Sequence, residues 1–214
     1  MKQTFIRKIF LVTGWTLLLL ASVYFYVSNI GPYFSNTLPK RLAAEKYWLV
    51  VHFTGAGCTL FLGPIQFWNY FRIRFRRWHR LLGKIYIGGS IVSALMVFYL
   101  LSNYPLPGSV PSLAFLAVIW LFTTITVFWF AFKKNFRLHR QFMIRSYVCS
   151  LAFLFIRLLP YLNEYTGIFN FIKDEEMKGT VYEWICWVYP LLLTEFLLIW
   201  WPSIAKQQAI STKA

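Results

Sequence analysis

The sequence predicts an all-α, polytopic membrane protein, a bundle of six transmembrane helices with both termini on the inner side. Three observations carry this. The 214 residues are 58% hydrophobic, 21% aromatic and only 14% charged, against roughly 25% charged in ordinary globular chains. The net charge of +15 sits in short clusters between long apolar runs, whereas a nucleic-acid-binding domain spreads its charge over one solvated face. Finally, six runs are long enough to cross about 30 Å of hydrocarbon at about 1.5 Å per helical residue.

The runs are Ile9–Val27, Trp48–Phe71, Leu81–Leu101, Ser112–Phe132, Phe142–Leu162 and Trp184–Trp201. Lys2, Arg7 and Lys8 precede the first, as in a signal peptide. Its apolar core is too long for one, and the Tyr24–Val27 segment after it offers no small-residue cleavage site. It reads as a retained helix. The spans leave no room for a soluble domain, so residues 1–214 read as one integral membrane domain.

Orientation follows from the basic residues near the span ends. With the N-terminus inside, the inner segments hold Lys2, Arg7, Lys8, Arg72, Arg74, Arg76, Arg77, Arg80, Lys84, Lys133, Lys134, Arg137, Arg140, Arg145, Lys206 and Lys213. Those sixteen face five outside: Lys40, Arg41, Lys46, Lys173 and Lys178. Among the outer connections, Pro105–Gly108 reads as a tight turn that makes spans three and four antiparallel neighbours. Pro39–Lys46 reads as a short interfacial helix. The Asn163–Glu183 segment, aromatic and charged, reads as a loop on the membrane surface. Cys58, Cys149 and Cys186 fall inside spans with no Cys-x-x-Cys, and read as packing residues.

Helix two carries His52-Phe53-Thr54-Gly55 and Leu62-Gly63-Pro64-Ile65-Gln66-Phe67. Gly55, Thr59 and Gly63 form a small-residue stripe that admits a neighbouring backbone or a flat ligand. Pro64 removes the amide that would bond to Leu60. Two His-Arg pairs, His79–Arg80 and His139–Arg140, recur sixty residues apart, each at the inner start of a span. This suggests a parallel repeat, although any inner hairpin loop is expected to be basic.

Together these segments, with His79-Arg80-x-x-Gly83-Lys84-x-Tyr86 and His139-Arg140-x-x-Met143-Ile144-Arg145-Ser146, resemble a family of bacterial multi-pass membrane proteins known only as a domain of unknown function. The resemblance covers roughly helices two to six, and Arg157 fits the same pattern. It implies an integral protein of the bacterial cytoplasmic (inner) membrane and supplies no activity.

The polar groups inside the spans are the candidate sites, because ionisable residues there cost about 2.5–3.5 kcal/mol on insertion scales. His52, Gln66, Arg157 and Glu195 are the intramembrane polar set. Arg157 and Glu195 read either as an internal ion pair or, with Arg157 beside His52, as part of an outward pocket for an anionic headgroup or a quinone carbonyl. Tyr161, Asn163 and Glu164 would line its mouth. His79 and His139 read either as phosphate-binding positions for anionic phospholipids or as axial ligands of one haem b. In that case Arg80 and Arg140 meet the propionates.

No Gly-x-Gly-x-x-Gly, Walker, His-Glu-x-x-His or Gly-x-Ser-x-Gly motif is present, and no catalytic residue is assigned. Three functions remain open. They are a haem- or quinone-linked redox protein, a small-molecule or lipid binding and transport protein, and a structural subunit of a membrane protein complex. Nucleic acid is not an expected partner; the lipid bilayer is.

Overall fold

A computed structural model describes residues 2–34, 43–103 and 108–211, with side chains from 12 to 206 within those ranges. Residues 105–107 of the expected turn at Pro105–Gly108 and the first half, 39–42, of the expected Pro39–Lys46 helix lie outside the described residues.

Every described element is helical: α1 Lys2–Ile30 with a 3-10 turn Gly31–Tyr33, α2 Lys46–Phe67, α3 Asn69–Arg74, α4 Arg76–Asn103, α5 Ser109–Phe132, α6 Phe136–Thr166 and α7 Glu175–Glu195. A π turn, Phe196–Trp200, joins α7 to α8, Trp201–Ser211. Six helical segments are long and apolar enough to cross a membrane, and this is a multi-pass membrane protein.

Hydropathy marks the hydrocarbon-crossing part of each helix, while backbone hydrogen bonds and caps set its ends, so several helices run past the expected spans. Asn135 caps α6 by accepting from the Leu138 amide at 3.2 Å. Gly167, with φ of 67°, ends that helix in the left-handed conformation, its amide donating to Asn163 O. Asp174 caps α7 through the Met177 amide at 2.6 Å. The connection expected over Asn163–Glu183 is therefore much shorter. Glu183 belongs to α7 rather than to a surface loop. Span two is also corrected. It stops at Phe67, where Trp68 turns extended and its amide bonds back to Ile65 O at 3.2 Å. Phe71 belongs to the separate α3.

The chain forms two compact units, Met1–Leu100 and Leu101–Ala214. In the first, α1 packs on α2 through Tyr26, whose hydroxyl donates to Phe53 O at 3.1 Å. The Tyr26 ring occupies the space left open at Gly57. Helix α2 meets α4 where Gly55 faces Gly89 and Ser93. In the second, α6 lies against both α5 and α7. Its interior contacts are small and polar in places: Thr124 and Ser146 share a hydrogen bond of 2.8 Å. Trp187 Nε1 donates to Ser112 Oγ at 3.1 Å.

The sixty-residue repeat is visible in register. His79 is the fourth residue of α4 and His139 the fourth of α6. Each backbone amide bonds four residues back at 2.9 Å, His79 to Phe75 O and His139 to Asn135 O. Three of the four buried positions of α4 then coincide with buried positions of α6, Tyr86 with Ser146, Ser90 with Ser150, and Ala94 with Leu154.

Candidate functional site

The second unit holds an ion pair inside its membrane-spanning helices. Arg145 lies nine residues into α6, on the same face as Phe142, and its guanidinium sits over that ring at 4.9 Å from the centroid. Glu195 is the last residue of α7 before the π turn. Arg145 grips the Glu195 carboxylate with two hydrogen bonds, Nε to Oε1 and Nη2 to Oε2, the second at 2.8 Å. This fork geometry is the strongest form of the arginine–carboxylate contact. Their side chains are 11% and 35% exposed. The arginine is thus enclosed while its partner is about one-third open. Arg145 Nη1 is buried and has no hydrogen-bond partner among the described residues.

The π turn begins immediately after Glu195. Trp201 donates to Phe196 O, five residues back, in place of the usual four. Trp200 and Trp201, both largely exposed, suit a membrane interface. They place Glu195 about 8 Å deeper along the helix. On α6, Arg137 and Arg140 are exposed, and Arg145 is about 7–12 Å beyond them. The two partners therefore lie at one depth.

This overturns the expected Arg157–Glu195 pair. Arg157 is twelve residues further along α6, about 18 Å from Arg145. Its Nη1 donates to Phe153 O at 2.8 Å and its guanidinium stacks over Phe153 at 3.8 Å. The motif residue Arg145 was legible only as one of the inner positive charges. Its position five residues past the exposed Arg140 is the signal that it enters the span.

His52 belongs to the first unit, Arg157 to the second. His52 Nδ1 lies 2.9 Å from Ser93 O, and a carbonyl only accepts, so that nitrogen carries the proton. Ser93 Oγ in turn donates to His52 O at 2.9 Å. His52 thus ties α2 to α4. Gln66 is 8% exposed and its carboxamide lies where a Gly83 side chain would be, with Oε1 3.3 Å from that Cβ position. His139 Nδ1 lies 3.0 Å from Val127 O, which leaves Nε2 as the nitrogen with a free lone pair. His79 is half-buried, while Arg80 and Arg140 are exposed.

Glu183 is a further polar residue that sequence reasoning placed outside. Ser109 Oγ donates to its Oε1 at 2.7 Å. The Cys186 thiol donates to the Glu183 carbonyl at 3.0 Å. All three cysteines are free thiols. Among the described residues no three histidine, cysteine, aspartate or glutamate side chains gather as a metal site.

Residues 49–198 match the family described as "Predicted membrane protein (DUF2306)". The chain belongs to this family. The family region spans α2 to α7 and contains His52, His79, His139, Arg145 and Glu195, with α1 lying before it. No curated protein and no solved structure matches the chain significantly.

Proposed function

We propose that this family member binds and transports a small anionic molecule or an anionic lipid, in a bacterial cytoplasmic membrane with both termini inside. One observation carries the reading. Arg145 spends two of its nitrogens on Glu195 and keeps buried Nη1 hydrogens unspent, beside a carboxylate that is one-third open. An unmatched buried donor on a charged group costs about 1–3 kcal/mol or more, and intramembrane charges commonly mark substrate pathways. An incoming oxyanion supplies the missing acceptors. The exposed Arg137 and Arg140 at the same end draw anionic molecules and phospholipid headgroups toward it.

The test is thermal stability of the purified protein against a panel of small carboxylates, phosphates and anionic lipids. A true ligand at about 100 times its Kd adds about 2.7 kcal/mol. The Arg145→Leu/Glu195→Leu double variant, which removes both charges together, should lose that gain. Equal stabilisation of the double variant rejects the site.

A second reading, a redox protein holding haem b, is favoured by His139. Its Nδ1–Val127 O contact fixes the tautomer that leaves Nε2 free to ligate. Arg140, the next residue of α6, would meet a propionate. Protein expressed with ample haem should then show a Soret band that His139→Ala abolishes. A colourless preparation rejects it.

A further inference from the structure

We propose that an oxyanion binding at Arg145 brings one proton with it, carried on Glu195. The inference rests on the anion-binding reading above and names how that site keeps its charge balanced.

At rest the site is neutral, one guanidinium and one carboxylate held by two hydrogen bonds. The groups packed around it offer no other charge to adjust. Helix α5, from Ser109 to Phe132, has no ionisable residue at all. On α6 the nearest charged or titratable side chains are Tyr147, Cys149, Arg140 and His139; Tyr147 and Cys149 are buried, Arg140 is exposed and His139 bonds to Val127 O. On the α7 side, Tyr189 precedes Glu195 by six residues and Lys206 follows it by eleven. A second anion on Arg145 Nη1 would therefore leave one uncompensated negative charge inside the membrane-spanning helices. Low-dielectric surroundings penalise that state steeply.

Protonation of Glu195 removes the excess. One proton leaves the medium and joins a Glu195 carboxylate oxygen. The carboxylic acid keeps one acceptor oxygen toward Arg145, and the guanidinium, still positive, is now paired with the bound oxyanion. Net charge stays at zero before and after. Glu195 is the member of the pair with the access this needs, being 35% exposed against 11% for Arg145. The ligand class is accordingly a single oxyanion, a carboxylate or a phosphodiester, and the cargo is the anion together with a proton.

The experiment uses the full chain in nanodiscs of neutral lipid. Benzoate and dihexanoyl phosphatidylglycerol are titrated by calorimetry in two buffers of different ionisation enthalpy. Both probes are fixed monoanions near neutral pH, so any proton taken up goes to the protein. The probe that binds tells a soluble carboxylate from a lipid headgroup. The expected result is about one proton taken up per anion by the native protein. Glu195→Gln, already uncharged, should bind the same probe about tenfold tighter with no proton uptake. Native binding without proton uptake, or equal uptake by Glu195→Gln, overturns the coupling and leaves the binding reading standing. Failure of both proteins to bind either probe overturns the binding reading itself.

Discussion

Gly55 and Gly89 meet backbone to backbone. A Cβ on Gly55 would lie 2.6 Å from Gly89 O, and one on Gly89 would lie 2.9 Å from Gly55 O. Small residues at this crossing bring α2 and α4 close enough for His52 and Ser93 to bond. The stripe is used here for helix packing.

Gly55→Ala and Gly89→Ala should therefore destabilise the first unit by about 1–3 kcal/mol, the usual cost of overpacking. Gly88 is the control, because a Cβ there meets nothing within 4 Å. Gly88→Ala should be neutral or gain up to about 1 kcal/mol from helix propensity. Unfolding titrations in mixed micelles read all three. Equal effects at Gly55 and Gly88 would contradict the close crossing.

Glu195→Leu should cost about 3–5 kcal/mol, because it leaves the enclosed Arg145 charge alone, and Arg145→Leu should cost less, because the carboxylate left behind is 35% exposed. Their double variant should cost far less than the sum. Arg157→Leu combined with Glu195→Leu should instead be additive. The two cycles together separate the observed partner from the one expected from sequence.

Ser93→Ala should cost about 0.6–1.7 kcal/mol, the range for interhelical hydrogen bonds in membranes. Once Ser93 is alanine, its backbone carbonyl still faces His52 Nδ1, so His52→Ala should add a further loss. A His52→Ala variant as stable as the native protein would remove the tie between α2 and α4.

A reporter inserted between Arg72 and Arg80 should lie in the cytoplasm, and one at Lys173–Lys178 outside. The basic excess at one end of the six spans sets this expectation. Accessibility of single introduced cysteines to an impermeant reagent checks both positions. Reversed labelling would invert the orientation.

Six apolar runs, the clustering of basic residues and the common register of His79 and His139 were legible in the sequence, because hydropathy and helical phase are properties of contiguous residues. Gly55 and Gly63 were legible as a small-residue stripe for the same reason. The partner of Glu195 was decided only by tertiary structure. Counting residues from the span ends left Glu195 about six residues off the level of Arg157, and Arg145 was grouped with the inner basic charges, while the packed helices set Glu195 level with Arg145. The seat of Gln66 at Gly83 and the entry of Glu183 into α7 against Ser109 were hidden likewise. Composition locates a side chain along its own helix to within a turn or two, which at about 5.4 Å per turn exceeds the reach of a hydrogen bond. The axial stagger between helices comes from how their surfaces pack, and that stagger chooses which polar groups meet.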